Sequence, residues 1–260
     1  MALAGLRALL AERTQALALL VTIDSPILVE LAAVAGYDAV LLDCEHGPIV
    51  ESRIGAMVLA GRAAGVSVMV RTRRADSSLI GAALDAGADG VVVPQVNSAE
   101  TAAAAAAAAR FRTPSYPFGA RGLNPYVRGT HYGRPDGYEQ ANSSVASIVM
   151  IEGAEGIAAL PGILAVESLD AILIGPYDLS QSLGRPGEVE HPQVLAAIAE
   201  IIATATAAGR ASVVFAPTAA AARRWFDAGA ALVVLGADAA LAIAGMRAAV
   251  QAVRGAVDPG

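Results

Sequence analysis

Asp43, Glu45, His46, Arg71, Glu152 and Asp178 are the side chains whose types and placement could do chemistry in this chain. The first three fall within four positions in AVLLDCEHGP, Ala39 to Pro48, where an apolar run ends in two carboxylates, a cysteine and a histidine. Gly47 and Pro48 then turn the chain outward. A capped strand with solvated acids would show the same pattern, so the other strand ends carry the argument. His46 suits proton transfer near neutral pH. Arg71 closes the apolar run VSVMVR with a planar fork that suits a carboxylate or phosphate, although a salt bridge with Asp43 or Asp85 would use it equally well. Glu152 and Asp178 follow two further apolar runs, and carboxylates at the ends of adjacent strands repel unless a cation or a proton lies between them. A hard divalent cation such as Mg²⁺ takes oxygen ligands and is commonly held by two carboxylates with water and substrate oxygens.

Neighbouring polar residues have plainer uses. Asp238, after Gly236, suits a helix N-cap, Gln95 could satisfy backbone groups, and His191 in HPQV starts a helix. Cys44 alternates away from Asp43 and reads as packing.

The elements that must position these residues repeat regularly. Ala16 to Ile23 is an apolar run followed by helical spacing from Pro26 to Gly36. Strands are expected again at Ala39 to Leu42, Val66 to Val70, Gly90 to Val93, Ser147 to Ile151, Ala171 to Ile174, Ala211 to Phe215 and Ala231 to Leu235, each with a helix after it. Continuously apolar strands in strict alternation with helices argue a parallel sheet covered on both faces, and eight repeats fit a (β/α)8 TIM barrel in which the strand ends build the site. The alternative, a doubly wound sheet, lacks a G-x-G-x-x-G after the first strand. The alanine run 102–109 reads as plain outer helix with Arg110 at its dipole-favoured end. Thr113 to Val145 is a long insertion after the fourth βα unit, rich in Gly, Pro, Tyr and Arg, and is expected to lie over the barrel mouth.

Composition narrows the partners. Hydrophobic residues make up 55% and charged residues 16%, without a linker-like stretch, so residues 1–260 are expected to form one barrel domain. No apolar run reaches membrane-spanning length, and the start, MALAGLRALLAERT, reads as an amphipathic helix, so a soluble cytoplasmic protein is expected. A net charge of −6 with scattered arginines gives no basic face for nucleic acid. The single cysteine excludes an internal disulfide. All eighteen basic residues are arginine, which excludes lysine Schiff-base chemistry and a Walker-type phosphate loop.

LLDCEHGP, VMVRTR, ALDAGADGVVVPQVNSAE, MIEGAEGIAAL and ILIGPYDLSQSLGRPGEVEHPQV together resemble, in order, the signature stretches of the HpcH/HpaI aldolase family. The resemblance runs from about Leu19 to Leu241 and implies a metal-dependent pyruvate aldolase acting on 2-keto-3-deoxy or 4-hydroxy-2-keto acids. It implies Glu152 and Asp178 as ligands of Mg²⁺, Mn²⁺ or Co²⁺, His46 as base, Asp85 as the acid that orients it, and Arg71 as anchor of the pyruvate carboxylate. Gly175, Pro176 and Tyr177 of the GPYDLS motif match substrate-binding positions, and Asp43 and Glu45 support the site from behind. It also implies a homo-oligomer, often a hexamer with an exchanged C-terminal helix, whose partners are a small keto acid and an aldehyde. Where many family members read Gln-Ile-Glu, this chain reads Met150, Ile151, Glu152, so a substrate-facing amide is replaced by a thioether. The alternatives are a condensing enzyme or decarboxylase using oxaloacetate or an acyl-CoA thioester, and a non-enzymatic barrel that would leave the intact polar set without a use.

Overall fold

The structure is a computed structural model that describes residues 5–12 and 15–255. Eight parallel strands close into a barrel in sequence order: β1 (Ala16–Val21), β2 (Ala39–Asp43), β3 (Ser67–Arg71), β4 (Gly90–Val93), β5 (Ala146–Ile151), β6 (Ala171–Ile174), β7 (Ala211–Ala216) and β8 (Leu232–Ala237). The helices are α1 (Leu6–Glu12), α2 (Pro26–Val34), α3 (Glu51–Ala64), α4 (Ser77–Asp85), α5 (Ala99–Ala108), α6 (Gly137–Ser144), α7 (Ala154–Leu164), α8 (Pro176–Ser182), α9 (Pro192–Ala207), α10 (Ala219–Asp227) and α11 (Asp238–Arg254). The expected barrel is therefore present, with α6 and α8 as additional helices.

Strand side chains alternate between two apolar cores. Val40, Leu42, Val68 and Val70 face the surrounding helices, whereas Leu41, Met69, Val92, Ile148, Met150, Leu173 and Val234 fill the barrel interior. That parity continues to the mouth, so Asp43 and Arg71 extend the inward rows begun by Leu41 and Met69. Cys44 packs in the outer core, as its parity requires, and burial first, then Glu51 and Asp43, pushes its thiol up to about 11. The far end of the barrel is plugged by Leu6, Leu9 and Leu10 of α1. Gly90 makes room for this plug, because a Cβ there would stand 2.6 Å from Leu6 Cδ2.

Local chemistry starts the helices. Asp76 caps α4 by accepting Ser78 N at 2.8 Å, and His191 caps α9 by accepting Gln193 N at its Nδ1 at 3.2 Å. Asp238 departs from its expected role, since the N-cap of α11 is Ala237 and Asp238 is the first helical residue. Its carboxylate accepts the first-turn Ala239 N at 2.7 Å and also Thr22 N, Ile23 N and Thr22 Oγ1, where β1 ends two residues before the expected Ile23, tying the first strand to the last. Arg110 is also more than a surface cation. It is buried, pairs with Asp170, and with Arg7 of α1 secures the plugged end of the barrel.

The insertion does not lie over the mouth of its own barrel. It leaves a helix and enters a strand, and such connections emerge on the N-terminal face, away from the strand ends. Tyr116 and Ser143 bond Arg7, Arg121 pairs with Asp85 at the C-terminal end of α4, and Arg128 reaches Gly55 O and Ala86 O on the flank of α3 and α4. Among the described residues no helix is long and apolar enough to cross a membrane.

Candidate active site

Asp43 and Arg71 are register partners on β2 and β3. Arg71 Nε and Nη2 donate to the two Asp43 oxygens at 3.0 and 2.7 Å, and both side chains are almost wholly buried. Asp43 Oδ1 also accepts the backbone N–H of Glu45 at 3.0 Å and of His46 at 3.2 Å, which shapes the turn after β2. One carboxylate therefore fixes both the guanidinium and the backbone carrying the histidine. Arg71 Nη1 lies 3.1 Å from Glu45 Oε2, so this arginine is shared between two acids and keeps part of its donor edge uncommitted. The salt bridge to Asp43 that the sequence leaves open is present; the one to Asp85 is not.

Glu152 follows β5 with inward parity, beside Gly175 at the end of β6. Its Oε1 accepts the backbone N–H of Gln95, and Gln95 Nε2 donates to Glu45 Oε1 at 3.2 Å. Gln95 adopts a left-handed backbone, φ 57°, uncommon for a residue with a side chain, and that conformation accompanies its double link to the two glutamates. Sequence reading gave Gln95 a backbone-satisfying use; it does the converse, supplying its own N–H to a carboxylate. Gly175 is required by close approach, since a Cβ there would stand 3.1 Å from both Glu152 Oε2 and Met150 Cε.

Burial, then the nearby Glu45 and Asp178 carboxylates, push Glu152 up to about 7 against the opposing Gln95 hydrogen bond. Glu45 is raised as well, by burial against the pull of Arg71, whose Nη1 lies 3.1 Å from its buried Oε2. Two buried glutamates with raised proton affinity, lining one cavity with Asp178, fit a divalent cation. Among the described residues no three His, Cys, Asp or Glu side chains gather as a cation cage, so Glu152 and Asp178 would supply two ligands and leave the others to water and substrate.

Two cavities open at the mouth and share His46 and Asp178. One, of about 480 Å³, is polar and holds Glu45, Gln95, Glu152 and Glu155. The other, of about 370 Å³, holds Arg71, Gly175, Pro176 and Tyr177 against apolar walls that include Met150 and Phe215. Tyr177, half exposed, tilts onto Phe215 with ring centroids 6.0 Å apart. His46 stands at the rim with its side chain 65% exposed, 3.8 Å from Glu45 Oε2.

Asp85 is the residue the fold does not bring to this group. As the last residue of α4 it lies toward the opposite face of the barrel, where it accepts Arg121 Nη2 at 2.7 Å, so within one chain it does not orient His46. Glu45 is the acid beside the histidine. Phe215 and Leu20 were not singled out from the sequence; inward parity at the ends of β7 and β1 was the available signal.

A family model described as HpcH/HpaI aldolase/citrate lyase matches residues 17–245. A "Hydroxypyruvate/pyruvate aldolase" of Paraburkholderia phytofirmans is 34% identical over 252 residues, 96% of this chain and 97% of that protein. A "5-keto-4-deoxy-D-glucarate aldolase" of Klebsiella pneumoniae is 35% identical over 215 residues, 82% of each chain. The crystal structure of an HpcH/HpaI aldolase/citrate lyase family protein from Burkholderia cenocepacia J2315 superimposes with a TM-score of 0.91 at 34% identity, covering 96% of this chain and 98% of that one. The barrel, the ordered motifs at its strand ends and these near full-length likenesses agree: the chain belongs to the HpcH/HpaI aldolase/citrate lyase family.

Proposed function

We propose that this protein is a metal-dependent pyruvate aldolase, making or breaking the bond between C3 of pyruvate and the carbonyl carbon of an aldehyde. The observation that carries the reading is the meeting of Glu152, just after β5, and Asp178, in the first turn of α8 beyond β6, in a mouth shared with Arg71 and His46. Likeness over 84–96% of the chain to proteins named as pyruvate aldolases supports it.

Glu152 and Asp178 would hold Mg²⁺, Mn²⁺ or Co²⁺, which when bound polarises the keto oxygen of the substrate. Arg71 offers its uncommitted N–H groups to the carboxylate, held in place by Asp43. Gly175, Pro176 and Tyr177 form the wall beside it. In cleavage, His46 takes the proton of the C4 hydroxyl, the C3–C4 bond breaks, its electron pair passes into the pyruvate unit as the enolate, and the aldehyde departs. C3 then takes the proton that His46 received, giving pyruvate and returning the imidazole to its starting state. Condensation runs the same steps backwards, with His46 returning the proton.

The chain is also proposed to work as a homo-oligomer. Asp238 is the only buried residue of α11, and Ile243, Met246, Val250 and Val253 form an exposed apolar stripe along this helix.

The direct test is exchange of the pyruvate methyl protons with D₂O, followed by NMR in the absence of any aldehyde. Exchange that needs a divalent ion and is lost in Glu152→Gln is expected. Exchange that persists in metal-free protein would overturn the reading, and CO₂ release from oxaloacetate or a CoA requirement in its place would favour the decarboxylase or condensing alternative.

A further inference from the structure

The cavity around Met150 is a different chemical environment from the acidic one beside it. Its walls are Leu20, Leu41, Met150, Leu173, Phe215 and Val234, the uppermost layer of the barrel interior. At about 370 Å³ it exceeds what a three-carbon keto acid held at Arg71 and Asp178 would fill, so room remains for a second group. Among the described residues Arg71 is the only arginine lining either cavity, the sequence has no lysine, and Arg71 already faces Asp43 and Glu45. The adjoining cavity carries Glu45, Glu152, Glu155 and Asp178. A carboxylate or phosphate on the acceptor would therefore be desolvated beside like charges without a counter-charge from this chain. An alkyl or aryl group would instead bury against matching walls.

We infer that the acceptor is an uncharged aldehyde bearing an alkyl or aryl group, seated in the apolar chamber, with Met150 and Phe215 as specificity-determining residues. This rests on the pyruvate-aldolase reading. C3 of the enolate forms the new bond to the aldehyde carbon, whose oxygen takes the proton held on His46, so the product is a 4-hydroxy-2-keto acid with an apolar substituent on C4. Met150 matters because its thioether lies against Gly175, at the foot of the chamber, where an amide would present an unpaired dipole to that substituent.

The test is a condensation series with pyruvate and the metal-loaded protein, using isovaleraldehyde and benzaldehyde against glyceraldehyde and succinic semialdehyde. The two apolar aldehydes should exceed the others in kcat/KM by about tenfold or more, the range one apolar-pocket contact supplies. In Met150→Gln, the ratio of isovaleraldehyde to glyceraldehyde should fall by about tenfold. Pyruvate proton exchange without aldehyde is measured on the same samples. Intact exchange with succinic semialdehyde or glyceraldehyde preferred overturns the acceptor inference alone, and intact exchange with an unchanged ratio in Met150→Gln removes Met150 from the specificity set. Loss of exchange in the parent protein overturns the pyruvate reading on which both depend.

Discussion

Asp43 and Arg71 face each other across β2 and β3 in direct register and close a two-point ion pair, 3.0 and 2.7 Å, at the bottom of the barrel mouth. Because Asp43 also receives the N–H groups of Glu45 and His46, the anchor for a substrate carboxylate and the proposed base are set by the same side chain. Arg71→Lys keeps the charge and loses the planar fork, so the apparent pyruvate constant should rise and turnover fall. Asp43→Ala should cost about 1.5–3 kcal/mol of stability, because it removes two charge-assisted hydrogen bonds from a buried guanidinium and leaves it Glu45 alone. Steady-state kinetics and chemical denaturation measure the two, and unchanged kinetics in Arg71→Lys would remove Arg71 as anchor.

His46 stands at the rim and lines both cavities. His46→Ala is expected to bind metal and pyruvate normally while aldol turnover falls about 100-fold or more. Calorimetry supplies the binding arm, and loss of metal binding would make the histidine a ligand.

With no lysine in the sequence, the carbanion cannot be stabilised as a lysine iminium. Borohydride with pyruvate should trap no adduct, chelation should abolish activity, and Mg²⁺, Mn²⁺ or Co²⁺ should restore it. Glu152→Gln and Asp178→Asn should each reproduce the chelated state. Full activity in protein shown to be metal-free contradicts this prediction.

Glu152 carries a pH signature in the metal-free protein. Burial raises its folded-state value to about 7, above that of the unfolded chain, so the folded state holds the extra proton between those two values. Stability from this group is therefore present at low pH and is lost as pH rises through about 7. The melting temperature of chelator-treated protein should fall between about pH 4.5 and about pH 7 and level off above that, and Glu152→Gln should remove most of that fall. A slope unchanged by the substitution would assign the effect to other groups.

The stripe on α11 should be an interface. Met246 is 64% and Val253 87% exposed, an arrangement a lone chain has no reason to keep. Sedimentation should give an oligomer, and Met246→Glu with Val250→Glu should shift it toward monomer. A monomeric parent protein would contradict this.

The sequence by itself determined the barrel and most of its mouth, because both follow from short-range regularities. Strands buried on both faces must be apolar throughout, and the first polar residue after such a run stands at the strand end, which placed Asp43, Arg71 and Glu152 there without any contact being known, whereas Asp178 lies one turn further on, in α8. The total lack of lysine is likewise a fact of composition. Only the tertiary structure decided what those side chains touch. That the Arg71 fork rests on Asp43 depends on strand register, which an apolar run does not encode, since sliding one strand by two residues keeps the same face inward. The left-handed Gln95 and its two glutamate partners join residues far apart in the chain. Asp85 and the insertion were drawn to the mouth by resemblance and loop length, yet the chain reverses direction at every helix, and a residue that ends a helix lies at the opposite end of the barrel from one that ends a strand.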